Sequence, residues 1–167
     1  MDLKLNIMKK IFITTAIAAL FTANVFAFNG SVKTEGDGAE NVSYVVLNKF
    51  KTDFSEATNV NWVKTANTQK VTFVLNDVKM TAFYNLRGEY LGVTQYVDYK
   101  TIPSKAKKEI ADKYKDYTVN EVIKLETDGT DTNQDATVYF VELKKDAQEL
   151  LVRVTPSASV YFFQQVK

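Results

Sequence analysis

The stretch Val71–Gly92, VTFVLNDVKMTAFYNLRGEYLG, leaves the chain few ways to fold. Val71, Phe73 and Leu75 alternate with Thr72 and Val74, the period of a strand. Asn76-Asp77 is a two-residue connection of types that tolerate positive φ. Met80, Ala82 and Tyr84 then alternate with Lys79, Thr81 and Phe83. Asn85-Leu86-Arg87-Gly88 fits a type I turn, with Asn at the first corner and Gly closing it. A further strand runs through Leu91 and Val93 to about Tyr96. Turns this tight join antiparallel neighbours and exclude crossover helices.

On either side the pattern becomes helical. Val46, Leu47, Phe50 and Phe54 recur at three- and four-residue steps, which predicts a helix within Val42 to Phe54 with Asn41 or Ser43 as its N-cap. A first strand is expected around Val60–Val63. Thr101-Ile102-Pro103 opens a second helix with Pro in its first turn. Ile102, Ala106, Ile110 and Tyr114 share one face of it. Strands follow at about Thr118–Glu126, Ala136–Leu143, Glu149–Val154 and Ser159–Val166. Helix plus four strands is thus written twice, over about 42–97 and 101–167. Phe50 matches Ile110 and Phe54 matches Tyr114. Val71-Thr72-Phe73-Val74 is aligned with Val138-Tyr139-Phe140-Val141, and Met80, Ala82 and Tyr84 with Leu150, Val152 and Val154. The expected class is α+β: two helix-plus-four-strand repeats forming one antiparallel sheet, with the helices on one face.

The N-terminal segment reads as a removable leader. Lys4, Lys9 and Lys10 precede the apolar stretch Ile11–Phe21, and Val25-Phe26-Ala27 supplies a cleavage site, so residues 1–27 are expected to be a signal peptide. Met8 is an alternative start to Met1. The apolar run is too short to span a bilayer comfortably, so no membrane span is expected after cleavage. Residues 28–41, with three Gly, read as a flexible leader to a domain at 42–167. The location implied is periplasmic or secreted.

Composition removes whole classes of chemistry. The chain has no His and no Cys, so Ser-His-Asp triads, Cys-His pairs, ordinary zinc sites and disulfides are excluded. Its formal net charge of +1 gives no electrostatic footprint for nucleic acid. Ser104-Lys105-Ala106-Lys107 has S-x-x-K spacing, but it lies at a helix start with Lys on the solvated side and lacks the companion motifs of that enzyme class. No two acids stand out in an apolar setting. An enzyme is not expected.

Two binding sites are readable. The first is aromatic. With Phe73, Ala82, Tyr84, Phe140 and Val152 placed under the helices, the opposite, partly open face carries Thr72, Lys79, Thr81, Phe83, Tyr90, Tyr139, Glu149, Arg153 and Phe162. Phe83, Tyr90, Tyr139 and Phe162 on that face would anchor a protein or peptide. The second is acidic. Asp131, Asn133 and Asp135 occupy alternate positions of a calcium-loop pattern, with Asp128 beside them. Ala136 stands where such a loop requires Gly, and Glu142 falls in a strand that leads away, so a solvated hairpin loop is the plainer reading. No other cofactor is expected. The uncharged run Val160–Val166 is β-prone, and is expected to be paired inside the sheet or across a dimer edge.

Val60-x-Trp62, Ala82-x-Tyr84-x-x-x-Gly88 and Ile102-Pro103 opening the second helix together resemble the PepSY-like family of Bacteroidetes periplasmic proteins. That family is similar in fold to β-lactamase inhibitory protein. The resemblance covers about Val42 to Lys167. Phe54-Ser55-Glu56-Ala57 lacks the Pro often found after the first helix, and Ser157 stands at a turn where Gly is expected. What the resemblance implies is a secreted, non-enzymatic binding or inhibitory module, and it brings no functional residues with it. The reading is therefore an exported module that engages an envelope protein or peptide through the open face of its sheet. The alternative is a small-ligand or calcium-responsive protein using the 128–135 loop.

Overall fold

A computed structural model describes residues 38–129 and 135–166 of the chain. The expected signal peptide, residues 28–37 of the leader that follows it, and Asp131 and Asn133 of the acidic loop lie outside the described residues; the last four residues of that leader, 38–41, are described. A 3-10 turn, Ala39–Asn41, precedes helix α1 (Tyr44–Asp53). Strands β1 (Thr58–Lys64), β2 (Thr68–Leu75), β3 (Val78–Asn85) and β4 (Tyr90–Tyr96) follow. A second 3-10 turn, Tyr99–Thr101, leads into α2 (Ser104–Lys113). Then come β5 (Thr118–Glu126), β6 (Thr137–Lys145), β7 (Gln148–Val154) and β8 (Val160–Gln165). The eight strands are hydrogen-bonded in chain order in one sheet, and β1–β2, β2–β3, β5–β6, β6–β7 and β7–β8 are antiparallel. This is the α+β class the pattern predicts. Among the described residues no helix is long and apolar enough to cross a membrane.

The chain divides into two compact units at Val93–Thr94. In the first, α1 buries Val46 and Phe50 against Val60, Trp62, Val71, Phe73, Ala82 and Tyr84. Edge-on ring contacts place Phe50 5.2 Å from Trp62 and 5.0 Å from Phe73. In the second, α2 buries Ala106 and Ile110 against Val122, Val141, Leu143, Leu150, Val152 and Val154. Ile102 joins this core and Tyr114 packs at its border, so the four predicted helix-face residues do share one side.

Local geometry recurs between the units. Each helix ends on an aromatic residue whose N–H caps it, Phe54 to the Phe50 carbonyl at 2.8 Å and Tyr114 to the Ile110 carbonyl at 2.9 Å. The first strand of each unit is bulged, between Thr58 and Asn61 and between Val119 and Val122. The next hairpin turns through positive φ at Asn76 and Asp77, and at Asp146. The turn after that has Gly88 at φ 86 in one unit and Ala158 at φ 62 in the other. The left-handed residue of the second turn is thus Ala158, one position beyond the Ser157 at which Gly was expected.

These matches correct the alignment of the halves. Counting back from the Asn76-Asp77 and Asp146-Ala147 turns pairs Val71 with Val141 and Phe73 with Leu143, so aligning Val71 with Val138 was an odd slip. An odd slip carries every side chain of a strand to the other face. Tyr139, not Phe140, therefore points to the helix-side core. In β4, Tyr90 is also on the helix side, its ring 5.6 Å from Tyr84 and 6.4 Å from Phe54. The cause is the turn: the Asn85 N–H donates to the Glu89 carbonyl at 3.0 Å, which sets Tyr84 opposite Tyr90 on one face.

Candidate functional site

The four aromatics chosen from the sequence do not form an open patch. Phe83 is on the face away from α1 but is buried at 2% exposure. Tyr90 and Tyr139 are partly buried on the helix side of their respective units. Phe162, on β8, is exposed at 59%, but it pairs with Val152 of β7, a core residue under α2, so it too belongs to the helix side rather than the opposite face. Nor is the face away from the helices polar and open, as expected. It carries buried Phe83 in the first unit and buried Ile123, Val138, Phe140 and Leu151 in the second. Of the calcium-loop candidates, Asp135 is engaged by the Arg153 guanidinium at 2.7 Å. Asp128 has a partner of its own. Among the described residues no three acids gather as a metal would need.

What the second unit does contain is a cleft of about 570 Å³ lined by Tyr96, Val97, Asp98, Tyr99, Val119, Asn120, Glu121 and Val122. Its walls follow from local geometry. The Val97 N–H donates to the Val122 carbonyl at 3.0 Å, holding the end of β4 against β5. Asp98 accepts from the Lys100 N–H at 2.7 Å and starts the 3-10 turn that carries Tyr99. The β5 bulge between Val119 and Val122 takes Asn120 and Glu121 out of the regular ladder. Bulges re-aim side chains in this way beside binding sites.

The two re-aimed residues take different roles. Asn120 Nδ2 donates to Glu142 Oε2 at 2.5 Å. Glu142, on β6, is 1% exposed, and Lys144 Nζ stands 3.7 Å from its other oxygen. Lys144 also faces Glu149 at 3.6 Å. Glu142 is thus a buried carboxylate with its hydrogen bond and counter-charge supplied. Glu121, beside it, has neither a hydrogen bond nor an ion pair among the described residues. Burial, then the charge of Glu142, holds the Glu121 carboxyl above the usual range, with Lys144 partly offsetting them. Burial, then Glu121 and Glu142, likewise pushes the Tyr96 hydroxyl upward. A carboxylate without a partner in a cleft that two phenol rings also line is chemistry for holding a cation.

Reading the chain residue by residue missed this site. The signal was present in Glu142, an acid between Val141 and Leu143 in an apolar strand. Glu121 gave none, because a bulge depends on pairing between strands.

No protein-family model matches the chain, and no curated protein does; the PepSY-like resemblance therefore has no family match behind it. Solved structures do match. A BLIP-like protein from Bacteroides fragilis, 12% identical, covers 75% of this chain and 86% of its own at a TM-score of 0.63. A DUF2874 family protein from Bacteroides uniformis, 13% identical, covers 75% and 90% at 0.66. A protein from Bacteroides eggerthii assigned provisionally to the periplasm, 14% identical, covers 74% and 88% at 0.65. At such identities the likeness establishes the architecture: this chain has the fold of the BLIP-like and DUF2874 proteins.

Proposed function

We propose that the chain is an exported, non-enzymatic binding module of the cell envelope, and that a protein or peptide partner places a lysine, arginine or free amine in the cleft of the second unit. The observation that carries this reading is Glu121, an unpartnered carboxylate in a cleft of about 570 Å³ that Tyr96 and Tyr99 also line. A bound cation relieves the repulsion between Glu121 and Glu142, and the phenol faces contribute cation–π attraction. The chain's lack of His and Cys leaves the cleft no activated nucleophile of the common kinds, which favours binding over catalysis. The sequence of residues 1–27 supports export, and the provisional periplasmic assignment of one protein of this fold agrees with it. The scaffold is, in our reading, a duplicated unit; the matched helix ends, bulges and left-handed turn positions support that origin.

An array of random dodecapeptides probed with the processed chain tests the proposal. Retained peptides should share Lys or Arg, and Glu121→Gln should weaken them about tenfold, the size of one charge-assisted contact. Affinity should rise with pH as Glu121 ionises and fall below its raised pKa. Retention independent of basic residues, or unaltered by Glu121→Gln, would refute the reading.

A further inference from the structure

The sheet has two edges, and they are treated differently. At β1, Gly38 lies against the strand backbone: a Cβ added there would collide with the Trp62 carbonyl oxygen. Asn59, at φ 56, and the adjacent bulge further distort that edge, and Lys64 charges its end. These are the devices by which natural sheets prevent edge pairing.

The β8 edge has little of this protection. No charged residue lies between Arg153 and Lys167. Tyr161 and Phe162 are 58% and 59% exposed, and Gln164 is exposed as well. Thr155 N–H bonds the Ser159 carbonyl at 3.1 Å, so Val160, the next residue on, turns its peptide groups to the outer side, toward Glu109 of α2. Backbone direction alternates along a strand, so Phe162, two residues on, turns its peptide groups to the same outer side. There it is followed by a bulge opposite Leu151 and Val152.

We propose that β8 is a self-association edge, on which a second copy of this chain pairs its own β8 antiparallel about a two-fold axis. The charge pattern selects this occupant. A two-fold brings both copies of every β8 charge into one short strand pair, so charges of one sign would repel across it; Val160–Gln165 carries none. An extended segment of another protein would impose no such neutrality. The β1 edge selects closure. A β8 strand cannot add to β1 across Gly38, so head-to-tail growth is blocked and the isologous dimer is the closed product. This inference is independent of the cation cleft, because none of the cleft residues lies on β8.

Sedimentation velocity on the full chain, as processed by an exporting host, decides it. A six-residue strand pair buries less than a standard interface, so a reversible monomer–dimer equilibrium is expected over about 10–500 µM. Phe162→Lys places like charges near the two-fold and should raise the dimer dissociation constant about tenfold or more with an unchanged melting temperature. If Phe162→Lys fails to fold, Gln164→Lys carries the same expectation. A monomer at every concentration, open-ended oligomers, or a dimer indifferent to whichever Lys variant folds would overturn the proposal.

Discussion

Tyr84 has no exposed surface, and its ring packs 6.4 Å from Trp62 and 5.6 Å from Tyr90. Its hydroxyl lies buried without a hydrogen-bond partner. Burial, then the charge of Asp53 and the ring partner Tyr90, pushes its ionisation far up, so it is neutral at any physiological pH. A buried hydroxyl without a partner carries its desolvation cost uncompensated. Tyr84→Phe should therefore stabilise the protein by about 1 kcal/mol. Thermal melts should register a rise of a few degrees, and a fall would reveal a partner for the hydroxyl. The sequence placed Tyr84 correctly in the core from alternation alone. It could not reveal the stranded oxygen, which depends on what the surrounding rings leave within reach.

At the scale of elements, Gln69 ties α1 to the sheet. It is 1% exposed, accepts from the Ser43 N–H at 2.9 Å and donates to the Asn85 carbonyl at 3.0 Å. Ser43 was one of two expected N-caps, and it holds that position. Its side chain makes no capping bond, and its hydroxyl is buried without a partner. Gln69→Leu keeps the volume but leaves two backbone groups unsatisfied, at a cost of about 2–4 kcal/mol. Urea titration should give a lower midpoint at unchanged slope. An unaltered midpoint would mean that water replaces both bonds. Gln69 reads in the sequence as one more polar residue near a strand start, because its partners lie across two other elements. Register, by contrast, is legible from the turns. The turns at Asn76-Asp77 and Asp146-Ala147 could have fixed the phase of β6. Aligning Phe73 with Phe140, with an allowance for the longer loop of the second half, reverses the faces.

For the molecule as a whole, the expectation that residues 1–27 are a removable leader makes a direct prediction. Mass spectrometry of protein recovered from the envelope of an exporting host should find Phe28 at the N-terminus, and intact 1–27 on recovered protein would refute it. Element order, the antiparallel class and the two helix faces were written in the sequence, since periodicity and turn chemistry act over a few residues and survive any later packing. Tertiary structure alone decided that Phe83, Phe140 and Leu151, on the face away from the helices, are buried, and that Glu121 is delivered to a cleft beside Glu142. Each of these depends on a pairing between strands. A bulge or an odd shift there reverses a side chain's direction while leaving the local pattern of apolar and polar residues unchanged.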